Sequence, residues 1–451
     1  MSTLPQSRRL IGALGLVAAM AATLGGCNDW LTAKKLTHNP NQPANAGLDN
    51  LFTASQADLT TEQTGQMART VCIWMQECVG IGDIFIPLNN YIYNQDDFLP
   101  VWENVYDGGG LIDLRTTQQR ALAVGDSIYA GEASVIEALQ VSMAADIWGD
   151  IPYKQASQPS TFPTPVVDSQ RVVYDSLLTK LATAVTWLGA VGPTNFGSGS
   201  DQIFGNDPTL WAAAAQTLRA RLFMHMAKRL GTPAYDSAIA AGTQGIAVGG
   251  DLLTYNDQTA NGANLWAQFN NIYSGDIAAG QFMVNLLVTT SDPRLAAYWL
   301  PIDTLGDFAG GPPGGGAPPS PSSVSTFNPN RVAAGLRLPA LSYAENELIL
   351  AEAYFKTSDA ASATLHLNNE QTAAGVPLTP QASISLAAIM NEKYIALFQS
   401  LEIWNDWKRT GLPVLINPTL IPRRLAYPLT EQSANPNVPG DGPANNWNDP
   451  P

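Results

Sequence analysis

Glu402-Ile403-Trp404-Asn405-Asp406-Trp407-Lys408-Arg409-Thr410-Gly411-Leu412-Pro413 reads as the last turns of a helix followed by its stop. Lys408 and Arg409 put positive charge where the helix dipole is negative, and Gly411 tolerates the positive φ of a C-terminal cap. Trp404 and Trp407 are three residues apart and can share one inward face. Working backward, helical spacing recurs in Met390, Tyr394, Leu397 and Leu401, in Ala344, Leu348, Ala351 and Phe355, and in Ala133, Ile136, Leu139, Met143 and Ile147. Further helices are expected around residues 49–79, 97–123, 169–189, 208–230 and 360–373. Alternating strand patterns are scarce, so the fold class is mainly α.

The string Asp146-Ile147-Trp148-Gly149-Asp150-Ile151-Pro152-Tyr153 looks like another helix end, turning at Gly149 into a fixed loop. The helices follow no fixed sequence period. Residues 306–325 include Gly310-Gly311-Pro312-Pro313-Gly314-Gly315-Gly316-Ala317-Pro318-Pro319, which is loop by composition. No linker separates the helices before this loop from those after it. One large domain over residues 46–451 is therefore expected, with long irregular loops and a loop-rich insertion around 251–336.

The chain has 451 residues and a net charge of −15. That excess of acid disfavours nucleic acid and anionic membrane surfaces as electrostatic partners. Three histidines and three cysteines leave too few ligands for most zinc architectures, and no HExxH, Walker A, GxGxxG or GxSxG motif occurs. No cofactor and no resident metal are expected.

Arg8 and Arg9 precede an apolar, glycine-interrupted run over residues 10–26 that meets Leu24-Gly25-Gly26-Cys27. A basic flank, a short apolar core and small residues before the break form a secretory signal, too short to span a bilayer. The quartet resembles a bacterial lipoprotein box, which implies cleavage before Cys27 and acylation of that cysteine. Removing Arg8 and Arg9 takes the charge from −15 to −17. Residues 27–45 then form a polar, lipidated tether. Cys72 and Cys78 remain; on a continuous helix a six-residue spacing turns them about 120° apart and about 9 Å along the axis. A disulfide needs a break in that helix, and two partly buried thiols are the expectation.

The strings above, with Tyr343-Ala344-Glu345 leading into Ala351-Glu352-Ala353, Glu392-Lys393-Tyr394, and Ile421-Pro422-Arg423-Arg424-Leu425-Ala426-Tyr427-Pro428, follow one another behind a lipoprotein signal. As an ordered set over residues 28–447 they resemble the SusD/RagB family of outer-membrane nutrient-binding lipoproteins, particularly its SusD-like branch. The resemblance implies tetratricopeptide-like helix pairs in one domain with a loop-built ligand face. It also implies a TonB-dependent, SusC-like outer-membrane transporter as partner, an oligosaccharide or other oligomeric nutrient as ligand, and no catalysis. Peptide capture, an α-helical glycoside hydrolase and, third, a ligand-free structural adaptor on the transporter are the alternatives. The motif residues themselves read as scaffold.

A sugar site needs flat apolar rings beside amides or carboxylates. Loop aromatics are the best candidates: Phe85, Tyr91 and Tyr93 with Asn90 and Asp96 in residues 83–98, and Trp266 and Tyr273 in residues 264–273. Tyr91 and Trp266 lie in Asn/Gln-rich stretches, so their rings are expected to have less claim on the core than Trp148, Trp404 or Trp407. The nearest hydrolase-like acid pairs are Asp96/Asp97 and Asp146/Asp150. His225 and His366 are expected to be packing histidines. Arg219, Arg221, Lys228 and Arg229 could form an anion patch, and a solvated helix face is the expected reading.

Overall fold

The computed structural model describes residues 46–440 except Asp83, 191–197, Ala260 and 315–317. The expected signal (1–26), the tether (27–45) and Cys27 lie outside the described residues. From Leu48 onward the chain forms one compact unit.

The first half is α1 (Leu48–Thr64), α2 (Gln66–Trp74), β1 (Cys78–Gly80), α3 (Phe85–Asn89), α4 (Leu99–Tyr106), α5 (Leu111–Ala123), α6 (Ser127–Trp148), β2 (Ile151–Pro152), β3 (Val167–Asp168), α7 (Gln170–Leu188), α8 (Pro208–Leu230) and α9 (Thr232–Gly242). Then follow β4 (Leu252–Leu253), α10 (Leu265–Ile272), β5 (Ile277–Ala279), α11 (Gln281–Thr289), α12 (Arg294–Tyr298), β6 (Pro339–Leu341), α13 (Tyr343–Lys356), α14 (Ala360–Ala374), α15 (Leu386–Ala396), α16 (Glu402–Thr410) and α17 (Leu429–Ala434). Successive helices pack side by side, α5 on α6, α6 on α7, α7 on α8, α8 on α9 and α13 on α14, and α9 also packs on α13. The strands only make two-stranded staples, β1 with β5, β2 with β3 and β4 with β6.

Local chemistry explains the helix limits. Asp126 accepts the Tyr129 backbone N–H at 3.0 Å to start α6, and Gly149, at φ +84°, ends it. Asp207 caps α8, and Gly411, at φ +72°, ends α16 as its sequence suggests. Helix α6 is buried on every side from Ile128 to Trp148 and forms the centre of the core. One hydrophobic cluster runs from Phe52 to Val438, so helices on both sides of the Gly/Pro loop share a core. That loop is held down in part: a Cβ on Gly310 would sit 2.5 Å from the Gln281 Cα, and one on Gly311 2.7 Å from Val79 Cγ1.

The family strings bind to one another. Trp148 Nε1 donates to the Ala426 carbonyl at 3.1 Å, Trp404 Nε1 to the Pro422 carbonyl at 2.8 Å, and Tyr427 Oη to the Asp150 carbonyl at 2.6 Å. Lys393 pairs with Asp406 at 2.8 Å, Arg221 with Glu345 at 2.6 Å, and Arg409 with both Glu352 and Asp406. These strings are scaffold because their polar ends are spent on each other.

The structure corrects two expectations and fills in a third. Helix α2 stops at Trp74, Gln76 turns the chain at φ +61°, and Cys78 begins β1. This break brings the Cα atoms of Cys72 and Cys78 to 5.1 Å, and the two form a disulfide instead of remaining thiols. Arg221 is not on a solvated face; it is buried against Glu345 and Glu402. His225 is more than a packing residue: its Nδ1 lies 3.1 Å from Asp146 and its Nε2 2.8 Å from Glu402. Burial opposes the imidazolium charge, yet the two carboxylates hold the His225 pKa up at about 10. His366 also meets a carboxylate, Glu347, at 2.9 Å while stacking on Tyr354.

Candidate functional site

The two aromatic segments singled out in the sequence meet at one place. Strands β1 and β5 pair antiparallel, Cys78 opposite Ala279 and Gly80 opposite Ile277, so the chain after β1 and the helix before β5 emerge together. Both Ile81 and Gly82 donate their backbone N–H to the Asp276 carbonyl, at 2.8 and 3.1 Å. A Cβ at Gly80 would fall 2.4 Å from the Phe85 carbonyl oxygen, so only glycine lets the chain fold back into α3 here.

From this junction a ladder of rings runs outward. Phe85 meets Phe269 edge to face at 5.0 Å between centroids, and Phe269 stacks on Tyr273 at 4.9 Å with planes 21° apart. The Arg69 guanidinium covers Phe269 at 4.6 Å. Phe269 and Tyr273 are i and i+4 on α10 and its cap, which places them one above the other. Tyr273 is 42% exposed and ends the ladder at solvent. Its neighbours Asn270 and Asn271 make no side-chain hydrogen bond among the described residues, leaving their amides free for hydroxyl groups. Exposed Ile272 extends the apolar surface.

The other sequence candidates are placed differently. Phe85, Tyr91 and Trp266 are buried, so none offers a ring face to a ligand. Trp266, only 1% exposed, packs edge to face on Phe327 at 5.5 Å, and Tyr91 Oη accepts from Gln76 Nε2 at 3.1 Å. Tyr93 is half-buried between Trp74 and Phe98, and its hydroxyl accepts the Ala426 backbone N–H. Asn90 donates back to the Ile86 carbonyl at 2.9 Å. Asp96 accepts the Leu429 backbone N–H at 2.8 Å at the start of α17, which makes it a structural cap. Sequence reasoning passed over Phe269 and Arg69; the i, i+4 spacing of Phe269 and Tyr273 was the available signal.

The acid pairs considered for hydrolysis are also committed. Asp97 accepts the Asn94 backbone N–H at 2.7 Å, and Asp150 that of Gln170 at 2.8 Å. Asp146 accepts from Tyr174 Oη and from Asn405 Nδ2. Asp146, His225 and Glu402 lie close enough to share a cation. However, His225 stands with one ring nitrogen 3.1 Å from Asp146 and the other 2.8 Å from Glu402, the two carboxylates favour its protonated form, and Arg221 stands 3.6 Å from Glu402. The trio is thus better described as an internal ion network than as a metal centre. A second cleft, of about 360 Å³, lies between Trp102, Tyr106, Phe162 and Glu431.

Residues 40–428 match the family described as "Starch-binding associating with outer membrane". The chain belongs to the SusD-like family. No curated protein matches it. Among solved structures, the SusD-like fold recurs in one entitled "chitin-binding protein", with 21% identity, TM-score 0.73, and 87% of this chain and 95% of that chain covered. A SusD-like protein from Bacteroides thetaiotaomicron shares 19% identity with TM-score 0.72, covering 87% and 94% of the two chains. A SusD/RagB family protein from the same organism shares 19% with TM-score 0.70, covering 87% and 95%. At these identities the likeness establishes the fold. The SusD-like family is described as starch-binding and associated with the outer membrane, and no helix among the described residues is long and apolar enough to cross a membrane.

Proposed function

We propose that this SusD-like protein is a cell-surface lipoprotein, anchored through Cys27, that captures oligosaccharides and hands them to a TonB-dependent outer-membrane transporter. The observation that carries the ligand class is the ladder Phe85–Phe269–Tyr273, which is rooted in the core and ends in an exposed ring beside free amides. A tyrosine face backed by a second ring suits the C–H face of a pyranose, and Asn270 and Asn271 suit its hydroxyls. The family's description favours a glycan over a peptide. Transporter delivery rests on family membership, and the anchor on the order Leu24-Gly25-Gly26-Cys27. The commitment of the candidate acids to caps and ion pairs favours binding over hydrolysis.

The test is a combined glycan and peptide array probed with the protein lacking its signal. Binding to neutral glycans of several units, lost in Tyr273→Ala, is the expected outcome. Retention of peptides alone overturns the sugar reading. Release of shortened sugars from a bound glycan overturns the assignment as a pure binder.

A further inference from the structure

A cavity of about 570 Å³ opens where the C-terminal ends of α6, α8 and α16 meet the first turn of α7. Its wall carries Arg171, Lys228, Arg229, Lys408, Arg409 and Arg423, six of the 23 Lys and Arg residues in a chain of net charge −15. Asp146 is the only carboxylate in the lining, and it is occupied by Tyr174, Asn405 and His225.

Helix ends account for only part of this concentration of charge. Lys228, Arg229, Lys408 and Arg409 sit in last turns, where each helix dipole offers about half a negative charge, whereas Arg423 lies in the loop after α16. Arg171 instead stands at the N-terminal turn of α7, where the dipole has the opposite sign. Arg409 is neutralised by Glu352 and Asp406, and Arg171 by Asp175. Among the described residues no carboxylate pairs with Lys228 or Arg423. The Arg423 guanidinium lies over the Trp407 ring at 5.4 Å and donates to the Lys408 carbonyl. The Lys408 ammonium lies 4.0 Å from the Trp404 ring centre and donates to the Asp146 carbonyl at 2.6 Å. Ring stacking and carbonyl contacts thus fix Lys408 on α16 and Arg423 in the loop packed against it before any ligand arrives, which lowers the cost of binding. Thr410 and Gln170 add uncharged polar groups to the same wall.

We infer that this cavity is an anion site that takes a carboxylate-bearing molecule of about two residues. A guanidinium fork matches a carboxylate bidentately, and a volume of this order holds a unit of disaccharide or dipeptide size. The carboxylate can come from a uronic acid or from an acidic peptide. The site lies on elements separate from the Tyr273 ladder and does not depend on it.

Calorimetry on the full-length lipoprotein in neutral detergent, at 50 mM NaCl, tests this with digalacturonate, Glu-Glu dipeptide and neutral lactose. At least one of the two anions should bind with one-to-one stoichiometry and weaken about tenfold by 500 mM NaCl as screening removes the charge contribution, whereas any lactose signal should vanish in Tyr273→Ala. Lys228→Gln combined with Arg423→Gln should weaken that binding at least about tenfold at unchanged melting temperature, and Tyr273→Ala should leave it unaltered. Which anion binds identifies the source of the carboxylate. Absence of binding by both anions overturns the inference, as does lactose binding that equals that of the anions and survives Tyr273→Ala, or undiminished affinity in the double variant. If the double variant melts early, Lys228→Gln alone, at an exposed side chain, decides in the same way.

Discussion

Tyr273 and Trp266 lie seven residues apart on the same helix and its cap, and the structure assigns them opposite fates under truncation. Tyr273→Ala removes an exposed ring whose inner face rests on Phe269 at 4.9 Å. Losing that stack should cost about 1 kcal/mol of stability. Losing the outer platform should cost more: about 80 Å² of apolar contact with a sugar face, at about 25 cal/mol/Å², is about 2 kcal/mol, or roughly thirtyfold in affinity. Trp266→Ala instead empties a core position against Phe327 and should cost about 3 to 5 kcal/mol of stability. Its effect on binding by the folded fraction should be small, because its ring faces no ligand. Scanning calorimetry and titration with maltoheptaose and chitohexaose on both variants separate the two effects. If Tyr273→Ala binds like the parent, the ladder is misassigned; if Trp266→Ala keeps its melting temperature and loses binding, the ring facing the ligand is Trp266.

Two further perturbations follow from the buried chemistry. Burial, with help from the Asp201 charge, pushes the Glu132 carboxyl up to about 9 from 4.5, and a folded acid that keeps its proton loses stability as pH rises between those values. His225, up at about 10 from 6.5, contributes fully below pH 6.5 and loses that contribution as pH rises through its folded value, in the same direction. The melting temperature should therefore fall from pH 5.5 to 9.5, and Glu132→Gln should flatten the slope; a level profile in the parent would refute the assignment of buried protonated groups. The Cys72–Cys78 bridge closes a short loop and should contribute about 2 kcal/mol. Cys72→Ser with Cys78→Ser should also loosen β1, which positions Phe85, and so weaken glycan binding; a thiol assay finding both cysteines free in the unreduced protein would contradict the bridge.

What the sequence made legible is what local chemistry decides. Gly411 behind Lys408 and Arg409 announces the end of α16 because a positive φ and a dipole are properties of adjacent residues. The mainly helical fold followed from apolar spacing for the same reason. Trp266 misled because its polar neighbours suggested an open surface, whereas Asn264 spends its amide capping α10 and Gln268 donates to the Ala263 carbonyl at 2.7 Å. The partner that buries the ring, Phe327, is about sixty residues away in a loop with no periodic pattern. Likewise the bridge between Cys72 and Cys78 turns on Gln76 adopting φ +61°, a conformation no glycine marks in the sequence. Lys228 and Arg423 come from segments nearly two hundred residues apart, and only the packing of α8 beside α16 brings them to one cavity.

The division of labour among the polar residues also locates where ligand preference can change. Asp146, Arg221, His225, Glu345, Glu352, Lys393, Glu402, Asp406 and Arg409 are each buried and tied to at least one opposite charge. Removing one partner strands another charge in the interior at a cost of about 3 to 5 kcal/mol, so these positions tolerate little change whatever the ligand. The Tyr273 face has no such ties: Asn270 and Asn271 hold nothing, and α10 is short and capped by its own Asn264. A substitution there costs the fold little and alters the surface proposed to meet a sugar. On the proposed reading, a chain built this way keeps its scaffold strings and changes its ligand preference through a few residues at the end of one short helix.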